Sequence, residues 1–268
     1  MRRVIGIVSL LVLSAQVHAA KHPLVPPGTW AVEYAKEYCV LSRDGLSGEP
    51  GIAFRTRPLI DEHELILLVP RTGQKGETSL KARIETAGQT SDAQWIWVKE
   101  WPAKHVKVLE TSITGDTLAR IVASRSVRLF GEQGIDVRLT LPAMNKPFEA
   151  LKTCEEDLAR RWGIDPQEVG AWAKPAKAKS DLRELFWSKD PSKYGMLQSH
   201  HVRAMLVIDE SGTPTNCTIV EKSRVAWVNT SICDILMTKG QFESARDANG
   251  KPVRGKVVTP RITSVLLR

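Results

Sequence analysis

The chain has 268 residues, enough for one large domain or two ordinary ones, and its 42% hydrophobic and 25% charged content is that of a folded globular protein. A formal charge of +8 is spread thinly over 38 basic and 30 acidic residues. With no RGG tract, zinc-finger spacing or basic helix beside it, that charge gives no reason to expect nucleic acid as a partner.

The first residues, MRRVIGIVSLLVLSAQVHAAKHP, place two arginines before an apolar run from Val4 to Leu13. Val17 and Ala19 then stand at the −3 and −1 positions of a cleavage site, the layout of a secretory signal peptide covering residues 1–19. The alternative, an uncleaved inner-membrane anchor, needs about 20 apolar residues, and Gln16, His18 and Lys21 interrupt the run too soon. Cleavage after Ala19 and a soluble periplasmic protein are the expectation.

Residues 20–170 read as a β-rich, sandwich-like unit. Between residues 30 and 141 the runs WAVEYAKEYCVL, HELILLV, SLKARIET, AQWIWVKEW, HVKVLET, LARIVAS, SVRLF and IDVRLTL are enriched in β-branched and aromatic residues. Several alternate apolar with polar, and turn residues separate them, which predicts many short strands in a sandwich or rolled sheet. The period then changes. Phe148, Leu151, Cys154, Leu158 and Trp162 recur at helical spacing, and Gly163 and Pro166 stop the pattern, predicting a helix laid on the sheet. Residues 171–181, AWAKPAKAKSD, are poor in large apolar side chains and read as a linker.

Residues 182–268 predict a short helix, a hairpin, a second helix and a closing strand. In HVRAMLVIDESGTPTNCTIVE, Val202, Ala204, Leu206 and Ile208 share one face, Asp209 to Pro214 turn, and Cys217 and Ile219 return inward. NTSICDILMTKG reads as a helix capped by Asn229 or Thr230 and ended by Gly240, with Ile232, Ile235 and Leu236 buried. The closing strand begins at Val257 and contains Pro260. Proline cannot donate to a ladder, so it marks an edge strand or a kink, and an exposed edge is a template for another chain.

Cys39, Cys154, Cys217 and Cys233 fit an exported chain in an oxidising compartment. Four cysteines allow three pairings. Cys39 with Cys154 and Cys217 with Cys233 is the expected one, because each bond then closes within one unit.

Residues 191–267 resemble the C-terminal domain of TonB, the energy transducer of Gram-negative envelopes. The resemblance rests on the alternating strand ending in Asp and Gly in RAMLVIDESGTPTNCTIVEKS, the helix after it, and Phe242, Ala245, Gly250, Pro252 and Val253 before the closing strand. The chain departs from the family pattern at Ser244, at Lys222-Ser223-Arg224, at Val228-Asn229 and at Pro260. The resemblance implies an α+β fold with an αββαβ C-terminal unit on a three-stranded antiparallel sheet. It also implies strand addition of an extended peptide, the TonB box of an outer-membrane receptor or a segment of another envelope protein, in energy-coupled transport. Carried over, the accepting backbone is that of Val257, Val258, Thr259, Arg261, Ile262, Thr263 and Val265. Ser14 and His18 form an S-x-x-x-H like that of the TonB anchor helix, but they close the apolar run instead of opening it, so coupling to the ExbB–ExbD motor is not expected. The alternative is a non-energised homodimer or adaptor that uses the fold as a scaffold.

Other candidates have plainer explanations. No G-x-S-x-G, P-loop or H-E-x-x-H occurs, and no histidine stands at metal-ligand spacing from a cysteine, so neither catalysis, a metal nor another cofactor is expected. His200-His201 read as strand-entry residues, and Asp61-Glu62-His63-Glu64 as a turn before LILLV. Trp95, Trp97 and Trp101 raise a sugar- or peptide-binding face, but Trp95 and Trp97 share one strand face, which favours core packing. Asn216 and Asn229 head glycosylation sequons that matter only in a eukaryotic source.

Overall fold

A computed structural model describes residues 28–45, 50–70, 78–101, 106–186, 200–224 and 226–264, with His200, His201, Thr263 and Ser264 described by backbone alone. The fold is α+β, mostly strands with a few helices, and is built on a curled antiparallel sheet. The signal-peptide reading of residues 1–19 and the candidate Val265 lie outside the described residues.

The first half supplies β1 (Trp30–Tyr34), β2 (Cys39–Arg43), β3 (Gly51–Thr56), β4 (His63–Pro70), β5 (Thr78–Thr86), β6 (Gln89–Thr90), β7 (Gln94–Trp101) and β8 (Val106–Ile113). Helix α1 (Gly115–Ser124), β9 (Ser126–Gly131), β10 (Asp136–Thr140), α2 (Asn145–Arg161) and α3 (Pro166–Gly170) follow. The strands join in the order β1-β2-β3-β4-β8-β7-β5-β9-β10, with β6 beside β5, and every pair is antiparallel. This is one continuous sheet, not the two layers of a sandwich. Helices supply the second layer: Leu118 and Ile121 of α1 and Leu151 and Leu158 of α2 pack among the inward residues of the strands, such as Phe54, Leu65, Ile96 and Leu129.

Two local expectations change. LARIVAS is helical, not extended. Thr114 caps α1 by accepting from the Thr117 amide, and Leu118 and Ile121, three apart, are the residues it buries; the β-branched Ile121 and Val122 imitate a strand signal. GIAFRT, with Ile52 and Phe54 buried, adds β3, a strand absent from the runs above.

The second half supplies β11 (Lys177–Ala178), a 3₁₀ turn (Leu182–Phe186), β12 (His200–Ile208), β13 (Pro214–Glu221), α4 (Ala226–Lys239), β14 (Phe242–Glu243), β15 (Ala245–Arg246), β16 (Pro252–Val253), β17 (Gly255–Val258) and β18 (Ile262–Ser264). Strand β12 is central. It pairs with β13 on one side and with both β17 and β18 on the other. Its Val202, Ala204, Leu206 and Ile208 pack with Val228, Ile232 and Leu236 of α4. Helix α4 begins three residues before the expected cap. Asn229 instead accepts from the Ser223 amide and donates to the Ser223 carbonyl, holding the entry loop. Gly240 ends the helix where a Cβ would lie 2.4 Å from the Leu236 carbonyl oxygen and 2.6 Å from the Phe242 ring, so only glycine fits the close approach.

Disulfides join Cys39 to Cys154, tying β2 to α2, and Cys217 to Cys233, tying β13 to α4. These are the two pairs expected. Among the described residues no helix is long and apolar enough to cross a membrane.

Residues 171–181 lie along the second unit. The amides of Ala173 and Lys174 donate to the Arg246 carbonyl, Arg246 donates back to Lys174, and Lys179 donates to Gln241. Strand β11 pairs with β14, and Ala176 is buried in the core under α4. Hydrogen exchange followed by mass spectrometry should therefore find peptides covering 173–179 protected in the native chain. Exchange there as fast as in an unstructured peptide would contradict the pairing.

Candidate functional site: the split edge strand

The apolar run AMLVI in β12 is buried on both faces. Ala204, Leu206 and Ile208 turn to α4, while Met205 packs with Val258, Ile60, Ala159 and Ile164. Ile60 follows β3, and Ala159 and Ile164 belong to α2 and the turn after it, so the far face of the C-terminal sheet is covered by the first half of the chain.

Beside this apolar contact lies a group of ions. Arg57 and Arg203 are each 2% exposed. Arg57 donates from Nη1 to Glu64 Oε1 at 3.0 Å, and its Nη2 lies 3.6 Å from Glu221 Oε2. Arg203 donates from Nε to Glu221 Oε2 at 3.0 Å, and its Nη2 lies 3.9 Å from Glu64 Oε1. Arg55 pairs with Glu64, and Arg261 reaches Glu221 Oε1 at 3.4 Å. The Tyr38 ring lies under both Arg55 and Arg57, at 4.8 and 5.4 Å. Each glutamate thus stands between arginines from both halves of the chain, an alternation without which the desolvation cost of buried charge would prevail.

The electrostatics follow from that alternation. Burial pushes the Arg203 guanidinium down to about 10, and the like charge of Arg57 adds to the push against the pull of Glu221 and Glu64. Burial alone would raise the Glu64 carboxyl. The charges of Arg57, Arg55 and Arg261 override it and hold the group below its ordinary value.

The closing strand meets this cluster at its interruption. The Thr259 amide donates to the Ala204 carbonyl at 2.8 Å, but the Ala204 amide donates to Thr259 Oγ1 at 3.0 Å. The Thr259 carbonyl instead accepts from Arg203 Nη1 at 3.3 Å. Pro260 has no amide proton to continue the ladder, so pairing resumes only at Ile262. Alternation in an antiparallel ladder turns the main-chain groups of Gly255 and Val257 toward β12 and those of Lys256 and Val258 outward. No strand pairs with the outer side of β17 among the described residues.

The six carried-over residues that the structure describes therefore have unlike surroundings. Val257 packs under α4, Val258 lies in the contact with the first half, and Ile262 is fully buried. Thr259 and Arg261 are held by the ion cluster, and Thr263 pairs through its backbone with His201.

Elsewhere the acidic stretch is structural. Asp61 accepts from the Gly115 amide at the start of α1, Glu62 accepts from Ser112 Oγ, and Glu64 belongs to the cluster. Among the described residues no group of three or more His, Cys, Asp or Glu side chains could hold a metal ion. His200 and His201 open β12. Trp95 and Trp97 overturn their expected place: they are 58% and 57% exposed, on the outer face of β7, while Ile96 and Val98 between them take the core. The alternation was read correctly but assigned to the wrong side, since large aromatic residues normally mark the buried face.

Sequence reasoning missed Arg57, Arg203 and Glu221. The available signal was Met205 and Val207, apolar on the face of β12 opposite the helix. A strand apolar on both sides needs two covers, and an arginine in its register must then be paired.

No protein-family model matches the chain, and neither a curated protein nor a solved structure matches it significantly.

Removing Glu221 leaves Arg203 and Arg57 short of a partner. Glu221→Ala should destabilise the protein by about 3–5 kcal/mol in denaturant unfolding. The double variant Arg203→Met/Glu221→Leu should recover most of that loss. A loss below about 1 kcal/mol for Glu221→Ala would mean that the cluster is solvated.

Proposed function

We propose that this is an exported envelope protein whose C-terminal unit binds an extended peptide by strand addition along the outer side of β17, in the manner of TonB-type domains. One observation carries the proposal: Lys256 and Val258 turn main-chain donors and acceptors outward at the rim of the sheet, where no strand among the described residues pairs with them. The order of turn, hairpin, helix and closing strand agrees with it, and the two disulfides suit an oxidising compartment such as the periplasm. The partner in this proposal is a segment of an envelope protein or of a TonB-dependent receptor.

The split sets the strength of the complex. Two outward residues offer about four main-chain bonds, each worth a net ~0.5–1.5 kcal/mol before the peptide's ordering cost. Binding should be weak and readily reversible.

Titration of the isotope-labelled chain with TonB-box peptides should shift the Lys256 and Val258 amide resonances. Lys256→Pro should abolish the shifts, because it removes an outward donor without touching the β12 ladder, while Lys256→Ala should leave them. Shifts confined to residues 30–140, or none at all, would overturn the proposal. The same shifts on concentrating the chain without peptide, with doubled mass in light scattering, would assign the edge to a homodimer.

A further inference from the structure

We infer that the outer face of the N-terminal sheet is a docking track for a carboxylate-bearing polysaccharide, centred on Trp95 and Trp97. Three observations lead there. First, Trp95, Trp97 and Trp101 follow one another on a single face of β7, and all are exposed, the last at 42%. Strand geometry spreads them over about 20 Å in a line. Solvent-facing positions of a sheet do not call for indoles, whose burial elsewhere would be stabilising.

Second, the neighbouring strand supplies free positive charge. Lys81 stands opposite Trp95 in the register, with its Nζ 5.4 Å from the indole centroid. Arg83, next on the same face of β5, stands opposite Phe130 of β9 and has no ion-pair or hydrogen-bond partner among the described side chains. The carboxylates of this face are already engaged: Glu110, opposite Trp97, by Lys99 and Arg55, and Glu85 by Arg128. The charge left for a partner is positive.

Third, β7 lies between β5 and β8, Gln94–Val98 pairing with the first and Trp97–Trp101 with the second, so its central main chain at Trp97 and Val98 is paired on both sides. An added peptide strand has nothing to bond there, and recognition must run through side-chain faces. Indole rings stack on the flat C–H faces of sugars, and Lys81 and Arg83 match carboxylates carried along the chain. A nucleic acid would ask for more phosphate contacts than two cations provide. A bilayer surface is met by apolar groups that penetrate about 5–10 Å, whereas these indoles lie along a sheet.

The site is distinct from β17, so its test is independent of peptide binding. The full chain is passed over immobilised polygalacturonate, hyaluronate and alginate, with dextran, anionic phosphatidylglycerol vesicles and a single-stranded oligonucleotide as comparisons. At least one acidic polysaccharide should retain the chain and quench its tryptophan fluorescence. Trp95→Ala/Trp97→Ala should weaken that binding about tenfold or more with the melting temperature unchanged. Lys81→Gln/Arg83→Gln should also weaken it and reduce its salt dependence. Failure to bind all three acidic polymers, binding unaffected by the double variants, or preference for the vesicles or the oligonucleotide would each overturn the inference.

Discussion

Four buried or half-buried arginines and the glutamates between them join the two halves of this chain. Arg57, just past the end of β3, and Glu64 in β4 come from the N-terminal half, Arg203 and Glu221 from the C-terminal sheet, and each carboxylate is shared across the contact. Two arginines at 2% exposure persist only because alternation supplies each with an opposite charge. The apolar patch of Ile60, Ala159, Ile164, Met205 and Val258 beside them excludes water and strengthens the pairing. The two units are therefore mutually dependent rather than two beads on a string, and residues 171–181, sewn along Gln241 to Arg246, reinforce the same arrangement.

The cluster also shapes the edge. Arg203 takes the Thr259 carbonyl out of the ladder, Thr259 Oγ1 fills the vacated position, and Pro260 requires no donor where none could be used. A closing strand that could have offered a long template is divided into β17 and β18, with the interruption held by charge. Division of an edge is one way in which sheets limit unwanted pairing, and here it leaves β17 as a short edge of four residues. The outer face of the larger sheet is divided in a comparable way. Glu110 lies between Arg55, which belongs to the cluster, and Lys99 on the tryptophan strand, so the contact between halves ends where the aromatic track begins.

Much of the fold was legible in the sequence because local pattern and tertiary environment agree. The alternation of Val202, Ala204, Leu206 and Ile208 marked the face under α4, and Cys154 on a helical stripe marked its bond to Cys39. Pattern failed where two signals coincide. Ile121 and Val122 are good strand formers, yet Thr114 and the spacing of Leu118 and Ile121 make a helix of them. Trp95 and Trp97 alternate as core residues do, and only the competing claim of Ile96 and Val98 turns them outward. The ion cluster was out of reach for another reason: its members lie at 57, 64, 203 and 221, and no local period connects residues brought together by the docking of two sheets.

A double-mutant cycle across the contact tests this dependence most directly. Arg57→Ala, Glu221→Ala and the double variant of the full chain are unfolded in denaturant, and the pairwise coupling is taken from the four stabilities. A buried pair shared between the halves predicts a coupling of about 1–3 kcal/mol and a single cooperative transition in the unsubstituted chain. Additive losses, with two separate unfolding transitions, would show that the halves are held together by the chain alone.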